Sequence, residues 1–280
     1  MATRTAIINV MSKTCYKASK TLLRDFGEVE QLQASRRGPR DFVKTANAAS
    51  HRKISEELIH ARPDYGLVFK GSKIIQSKDP KNRKWVVDSL NGTTNFLHGI
   101  PHWAISIGLE EDGDLVAGTV YDPTRDELFW AEKGVGSFLN DSRIRISERR
   151  DIADCVIATG DHPETYTCES YNQYIDKIAK SSGMVRNLGS TSLDLAYIAA
   201  GRLDGCLHFK TPPWELSAGI IIVREAGGYI TDISGGRKMI EKKEILAANA
   251  RIHHRLLGLI KAKTKDNNVC LLYTSPSPRD

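Results

Sequence analysis

The sequence predicts an α+β protein built as two packed lobes that meet near residue 150. Three observations predict it. Apolar residues recur at helical spacing through the first sixty or so residues, and period-two alternation takes over from Tyr65 to Glu132. Short strands and helices then alternate as far as residue 262.

From Thr5 to Phe26, the residues Ile8, Met11, Cys15, Ala18, Leu22 and Phe26 fall three or four apart, the stripe of a long amphipathic helix. Gly38-Pro39 interrupts it, and a second helix through Ile54, Leu58 and Ile59 is stopped by Pro63. Strands are expected over 66–69, 85–88, 103–110, 115–121 and 127–132. Asp112-Gly113 lies between two alternating runs and predicts a tight hairpin. In the second half, a strand at 153–159 precedes a helix at 166–180. A strand at 184–188 then precedes a helix opened by Ser190-Thr191-Ser192 and closed by Gly201-Arg202. After a strand at 204–208, Pro212-Pro213 lead into a helix from Trp214 to Ala226, which Gly227-Gly228 ends. A strand at 244–248 and a helix at 250–262 follow.

Composition narrows the class. The 280 residues are 40% apolar and 26% charged, ordinary for a globular protein with a substantial core. No apolar run approaches the roughly 18 residues of a membrane span. The first residues carry no apolar signal stretch, so a cytoplasmic location and no membrane association are expected. Cys15, Cys155, Cys168, Cys206 and Cys270 are scattered without metal-ligand spacing and read as reduced, mostly buried thiols. The net charge of +6 is mild. The basic clusters at 36–40, 78–84, 143–150 and 236–243 lack interleaved aromatics and read as solvated surface rather than a nucleic-acid footprint. Residues 270–280, C-L-L-Y-T-S-P-S-P-R-D, fit no element, and they match a translated transposase sequencing adapter. They are expected to be a disordered, non-biological scar.

The chemistry is concentrated in Trp85–Phe96, W-V-V-D-S-L-N-G-T-T-N-F. An apolar run, Trp85, Val86 and Val87, delivers Asp88 at a strand end, and Asn91-Gly92 form a turn. Thr93 and Thr94 then open a helix whose free N–H groups and positive dipole end suit an anion. That is the layout of a phosphate and metal site. It resembles the D-P-[I/L]-D-G-T-x-N-F signature of the inositol monophosphatase family, with Ser89 in place of proline and Asn91 in place of the second aspartate. Gly118-Thr-Val-Tyr-Asp-Pro, Ala131-Glu-Lys-Gly-Val-Gly, Leu193-Asp-Leu-Ala-Tyr-Ile-Ala-Ala-Gly-Arg and Trp214-Glu-Leu-Ser-Ala-Gly extend the resemblance across residues 5–262. Bacterial members look most similar.

The resemblance implies the layered α-β-α-β-α sandwich of the sugar-phosphatase type, with the site between the lobes. It implies lobes over 1–150 and 151–269, the first carrying the metal and phosphate motif. It further implies hydrolysis of a small phosphorylated polyol, Mg2+ held by carboxylates, and a possible homodimer. Some bacterial relatives also suggest a transcription-complex partner. Carried over position by position, Asp88 matches a metal-bridging carboxylate, Leu90 a backbone-carbonyl ligand, and Asn91 an aspartate ligand. Thr93 keeps the hydroxyl that orients water, so Asp88 and Thr93 are the catalytic candidates. Gly92, Thr93 and Thr94 keep the phosphate turn, and His208 matches a substrate-contacting glutamate. Glu215 stands where the family has aspartate, about one methylene further out, and Asn47 matches another aspartate. Lys70 and Gly71 occupy the positions of paired glutamates, with Ser72 matching.

The charge sum over 70, 71, 88, 91 and 215 is therefore −1 where the family pattern holds five carboxylates. A lysine ammonium about 4 Å from a divalent ion, at an effective dielectric near 20, is repelled by roughly 8 kcal/mol. Mg2+ is expected to be held weakly, at a single site or not at all, and hydrolysis to be severely impaired. Asp→Asn, Glu→Lys, Pro→Ser and Glu→Gly are each single-base changes. A non-catalytic binding protein and a decaying gene product are the alternatives. Asp88, Thr93 and Glu215 are expected to converge in one cleft beside Lys70.

Overall fold

The computed structural model describes residues 4–32, 39–70, 74–160 and 169–261. Helices α1 (Ala6–Leu32) and α2 (Pro39–Ala61) pack on each other as an outer layer. Ile8, Met11, Cys15, Ala18 and Leu22 of the predicted stripe are buried, Phe26 is half-buried, and buried Val29 prolongs the stripe past it. Beneath them lies a seven-stranded sheet whose spatial order is its sequence order. It runs β1 (Gly66–Phe69), β2 (Lys84–Asn91), then, after the short α3 (Thr93–Leu97), β3 (Ala104–Glu111), β4 (Asp114–Asp122), β5 (Glu127–Glu132), β6 (Gly136–Leu139) and β7 (Ser142–Arg143). β1 and β2 are parallel, and every later pair is antiparallel. The predicted hairpin forms with Asp112 at φ 50° and Gly113 at φ 90°, the positive values that a primed turn demands.

The second half contains β8 (Val156–Thr159), α4 (Glu169–Ser181), β9 (Met184–Arg186), α5 (Thr191–Ala199), β10 (Gly205–His208), α6 (Pro213–Glu225), β11 (Tyr229–Thr231), α7 (Met239–Lys242), β12 (Ile245–Ala248) and α8 (Ala250–Lys261). Its five strands are ordered β11-β12-β10-β8-β9. β8 starts later than the expected 153 because Ile152–Asp154 form a 3-10 turn, capped by the Asp151 carboxylate on the Ala153 N–H at 3.1 Å. β6, β7, β11 and α7 are too short to show a period in the sequence; pairing and packing with their neighbours create them.

α5 and α6 form the middle layer, between the two sheets, and α4 and α8 cover the far side. The expected α-β-α-β-α sandwich is therefore the observed fold. α6 is buried on every face from Leu216 to Val223, as a helix with a sheet on each side must be. Close approach needs glycine at Gly118 and Gly219, among other positions. A Cβ on Gly118 of β4 would sit 2.6 Å from Ile221 Cγ2, and one on Gly219 of α6 would sit 2.4 Å from Leu195 Cδ1.

Cys15, Cys155 and Cys206 are buried free thiols. Burial pushes Cys15 up to about 12 and Cys155 to about 11, so both stay protonated. Cys168, Cys270, Gly71, Ser72 and the segment 270–280 lie outside the described residues. Among those described, no helix is long and apolar enough to cross a membrane.

Gly118→Ala is expected to destabilise the protein by about 1–3 kcal/mol through overpacking against α6, read as a lower urea midpoint. A second test uses Asp232, buried in the turn after β11. Its Oδ1 accepts from the Ser234 N–H and hydroxyl at 2.9 and 2.6 Å and from the Gly236 N–H at 2.9 Å. Burial opposes ionisation here, but those donors and Lys242 hold the carboxyl well below its ordinary range. Stability from this group is present above the unfolded value near ~3.9 and is lost as pH falls. Asp232→Asn should cost about 1–2 kcal/mol at neutral pH. The gap to wild type should narrow in urea titrations repeated near pH ~3.

Candidate active site

The site grows from the end of β2. Pairing between β2 and β3 shifts register between Asp88 and Asn91, a bulge that turns the strand end out of the ladder. Buried Asp88 is held there, its Oδ1 accepting from the Leu90 N–H at 3.2 Å. Its Oδ2 accepts from the Asn91 side-chain amide at 3.0 Å. Gly92 turns the chain at φ 84°, where a Cβ would meet the His102 carbonyl at 2.9 Å. The Thr93 hydroxyl donates to the Leu90 carbonyl at 3.0 Å, so the water-orienting hydroxyl and the carbonyl ligand expected from the sequence are bonded to each other. Asn95 donates to the carbonyls of His102 and Leu188 at 2.7 and 2.8 Å, tying α3 to the second half of the chain.

That second half supplies the facing wall. The Asn91 Oδ1 accepts from the Ser190 hydroxyl at 2.7 Å and from the Ser192 N–H, at the start of α5, at 3.0 Å. Glu215 enters on the first turn of α6, after Pro212-Pro213, and its carbonyl accepts from the Ser192 hydroxyl at 2.9 Å. A cavity of about 190 Å³ results, and Lys70, Asp88, Leu90, Asn91, Gly92, Thr93, Thr94, His208 and Glu215 all line it. Asn47 does not. It accepts from the Ser89 hydroxyl at 2.7 Å, a bond that a proline at 89 could not donate.

Sequence reasoning missed Asp194 of α5. It is buried in the cavity wall 3.3 Å from the His208 Nε2, and neither oxygen of Asp194 nor either ring nitrogen of His208 has a hydrogen bond. The available signal was a lone carboxylate inside the apolar run Leu193–Ala200. Asn95, Ser190 and Ser192 were also missed as bridging residues; Asn95 stood inside the motif already quoted.

Burial raises Asp88 above the ordinary carboxylate range, opposed by the Lys70 charge and by the donors Asn91 and Leu90. Burial and the adjacent Asp88 push Glu215 up to about 7, opposed by Lys70, Thr191 and His208. Lys70 itself is exposed at the cavity mouth. Among the described residues it makes no ion pair; its charge acts on the two carboxylates from beyond contact.

Mg2+ asks for near-octahedral oxygen ligands. Here both Asp88 oxygens are engaged by N–H donors, and Asn91 turns a donor rather than an oxygen toward them. Among the described residues no group of three or more His, Cys, Asp or Glu is placed to hold a metal ion. The described residues that line the cleft do not fit a two-ion site.

A five-layer sandwich with a strand-end carboxylate, a glycine turn and a facing acidic helix start defines the class of sugar-phosphatase-like proteins. The chain belongs to the inositol monophosphatase family, whose model matches residues 4–265. It is 44% identical to the inositol-1-monophosphatase of Rhizobium meliloti (strain 1021), over 92% of this chain and 97% of that protein. It is 33% identical to the Nus factor SuhB of Escherichia coli (strain K12), over 93% of this chain and 97% of that one. The solved structure of extragenic suppressor protein suhB from Bartonella henselae matches with a TM-score of 0.85 at 44% identity, covering 93% of this chain and 100% of that chain.

Asn95→Ala should cost about 2–3 kcal/mol, because it leaves one buried and one part-buried carbonyl without their donor. Chemical denaturation measures the loss, and an unchanged midpoint would show that water replaces both bonds.

Proposed function

We propose that this chain keeps the phosphomonoester cleft of its family but hydrolyses its ligand poorly, because the carboxylates that would hold Mg2+ are largely replaced. The observation that carries the reading is the cavity wall itself: Lys70 and the amide donor of Asn91 stand where the resemblance puts metal ligands. Gly92, Thr93 and Thr94 are retained to receive a phosphate, and Lys70 adds positive charge at the mouth. The substrate class suggested by the relatives is a small phosphorylated polyol, with His208 and Asp194 at the wall that would meet its hydroxyls. Any Mg2+ is held weakly and at no more than one site. A cytoplasmic homodimer is the setting this reading assumes.

A second reading has its own support. Relatives named Nus factor SuhB are 33% identical across nearly the full chain. Under this reading the scaffold shared with these relatives serves a transcription complex, and the cleft chemistry is dispensable. Retention of only abundant, nonspecific proteins in a pull-down would argue against it.

The test of the first reading is Mg2+-dependent phosphate release from inositol 1-phosphate, by wild type and by the triple variant Lys70→Glu, Gly71→Glu, Asn91→Asp. The variant should exceed wild type by about 100-fold or more, the scale on which a single preorganised group can act. Equal, substantial rates would overturn the proposal and mark an ordinary phosphatase.

A further inference from the structure

Asn91 has a fixed orientation. Its Oδ1 accepts from the Ser192 backbone N–H at 3.0 Å and from the Ser190 hydroxyl at 2.7 Å. A backbone N–H can only donate, so the oxygen must face α5 and the NH2 must face Asp88. The NH2 lies 3.0 Å from the Asp88 Oδ2, while Leu90 donates to the Oδ1 at 3.2 Å. An aspartate at position 91 would set two carboxylate oxygens face to face at this separation. Such a contact demands a cation or a proton between them. The amide removes that demand by presenting the positive end of an N–H dipole.

Two further features act in the same direction. From the mouth of the cavity, which it lines, the Lys70 charge opposes the negative charge of Asp88 and of Glu215. On the flank of β2, Ser89 and Asn47 bond each other at 2.7 Å, so two more of the departures from the family pattern are mutually satisfied. Asn91 and Asn95 bridge the two halves of the chain at the cleft by direct hydrogen bonds.

We infer that Asn91, aided by Lys70, takes over the structural role of a divalent cation, so that the cleft is assembled in a metal-independent form that Mg2+ neither enters nor stabilises. This deepens the preceding reading and rests on the same assignment of the cleft. It turns weak metal binding into replacement of the metal by the chain itself.

The experiment follows full-length protein by thermal unfolding in EDTA and in ~10 mM MgCl2 at matched ionic strength, with Mn2+ binding followed by electron paramagnetic resonance. Wild type should unfold at the same temperature within about 1 °C in both solutions and leave Mn2+ free. Asn91→Asp should melt about 3–6 °C lower in EDTA and recover in Mg2+. Asn91→Leu should lose stability that Mg2+ does not restore. A Mg2+-induced rise of several degrees in wild type, or stoichiometric Mn2+ binding, overturns the inference even where Asn91→Asp fails to fold. The two readings fail separately. Phosphate release that survives EDTA would defeat the impaired-hydrolase reading alone, whereas ion binding without turnover would defeat this one alone.

Discussion

The end of β2 is a buried strand that must leave its ladder, and the polar groups released there need partners within the protein. Local side chains supply them. The Ser89 carbonyl accepts from the Ser50 hydroxyl at 3.0 Å, the Leu90 carbonyl from Thr93, and the Leu90 N–H turns back to Asp88. Asp88 is thereby fixed as part of the bulge. Asn91 continues the chain of bonds outward to Ser190 and Ser192, and Asn95 reaches Leu188. One irregularity in one strand therefore sets both the position of the carboxylate and the alignment of the two halves around it.

The middle layer makes that alignment rigid. α6 lies against β4 closely enough that Gly118 cannot carry a side chain, and α5 lies against α6 closely enough that Gly219 cannot. Both helices bury apolar residues on every face, so neither can shift without opening voids against a sheet. Glu215 and Asp194 stand on the first turns of these helices, which is how an apolar slab presents carboxylates to a polar cavity. The cleft wall is as fixed as the core behind it.

Within that frame, the departures from the family signature are chemical rather than architectural. Ser89 and Asn47 pair with each other, and Asn91 pairs with Asp88. Ser89, Asn47 and Asn91 each have a partner of suitable hydrogen-bonding sense, so the fold bears these three replacements without leaving them unsatisfied. The exceptions are Asp194 and His208, whose polar atoms lack hydrogen bonds while buried in the cavity wall. Unsatisfied buried groups of this kind favour a polar ligand that could reach them.

The long elements, the hairpin at Asp112-Gly113, the middle-layer helices and the motif at 85–96 were legible in the sequence. Periodicity, turn chemistry and capping are local properties, and a family signature is carried by consecutive residues. The sequence also showed that Lys70, Asp88, Asn91 and Glu215 belong to one chemical argument. Which way the Asn91 amide faces is set by the folded chain, because its orientation depends on Ser192, 101 residues away. The same holds for Asp194 beside His208, Asn47 beside Ser89, and the strands at 136–139, 142–143 and 229–231, which exist through their neighbours. A coordinating oxygen and a donating N–H are one residue in the sequence and opposite chemistries in the cleft; long-range hydrogen bonds choose between them.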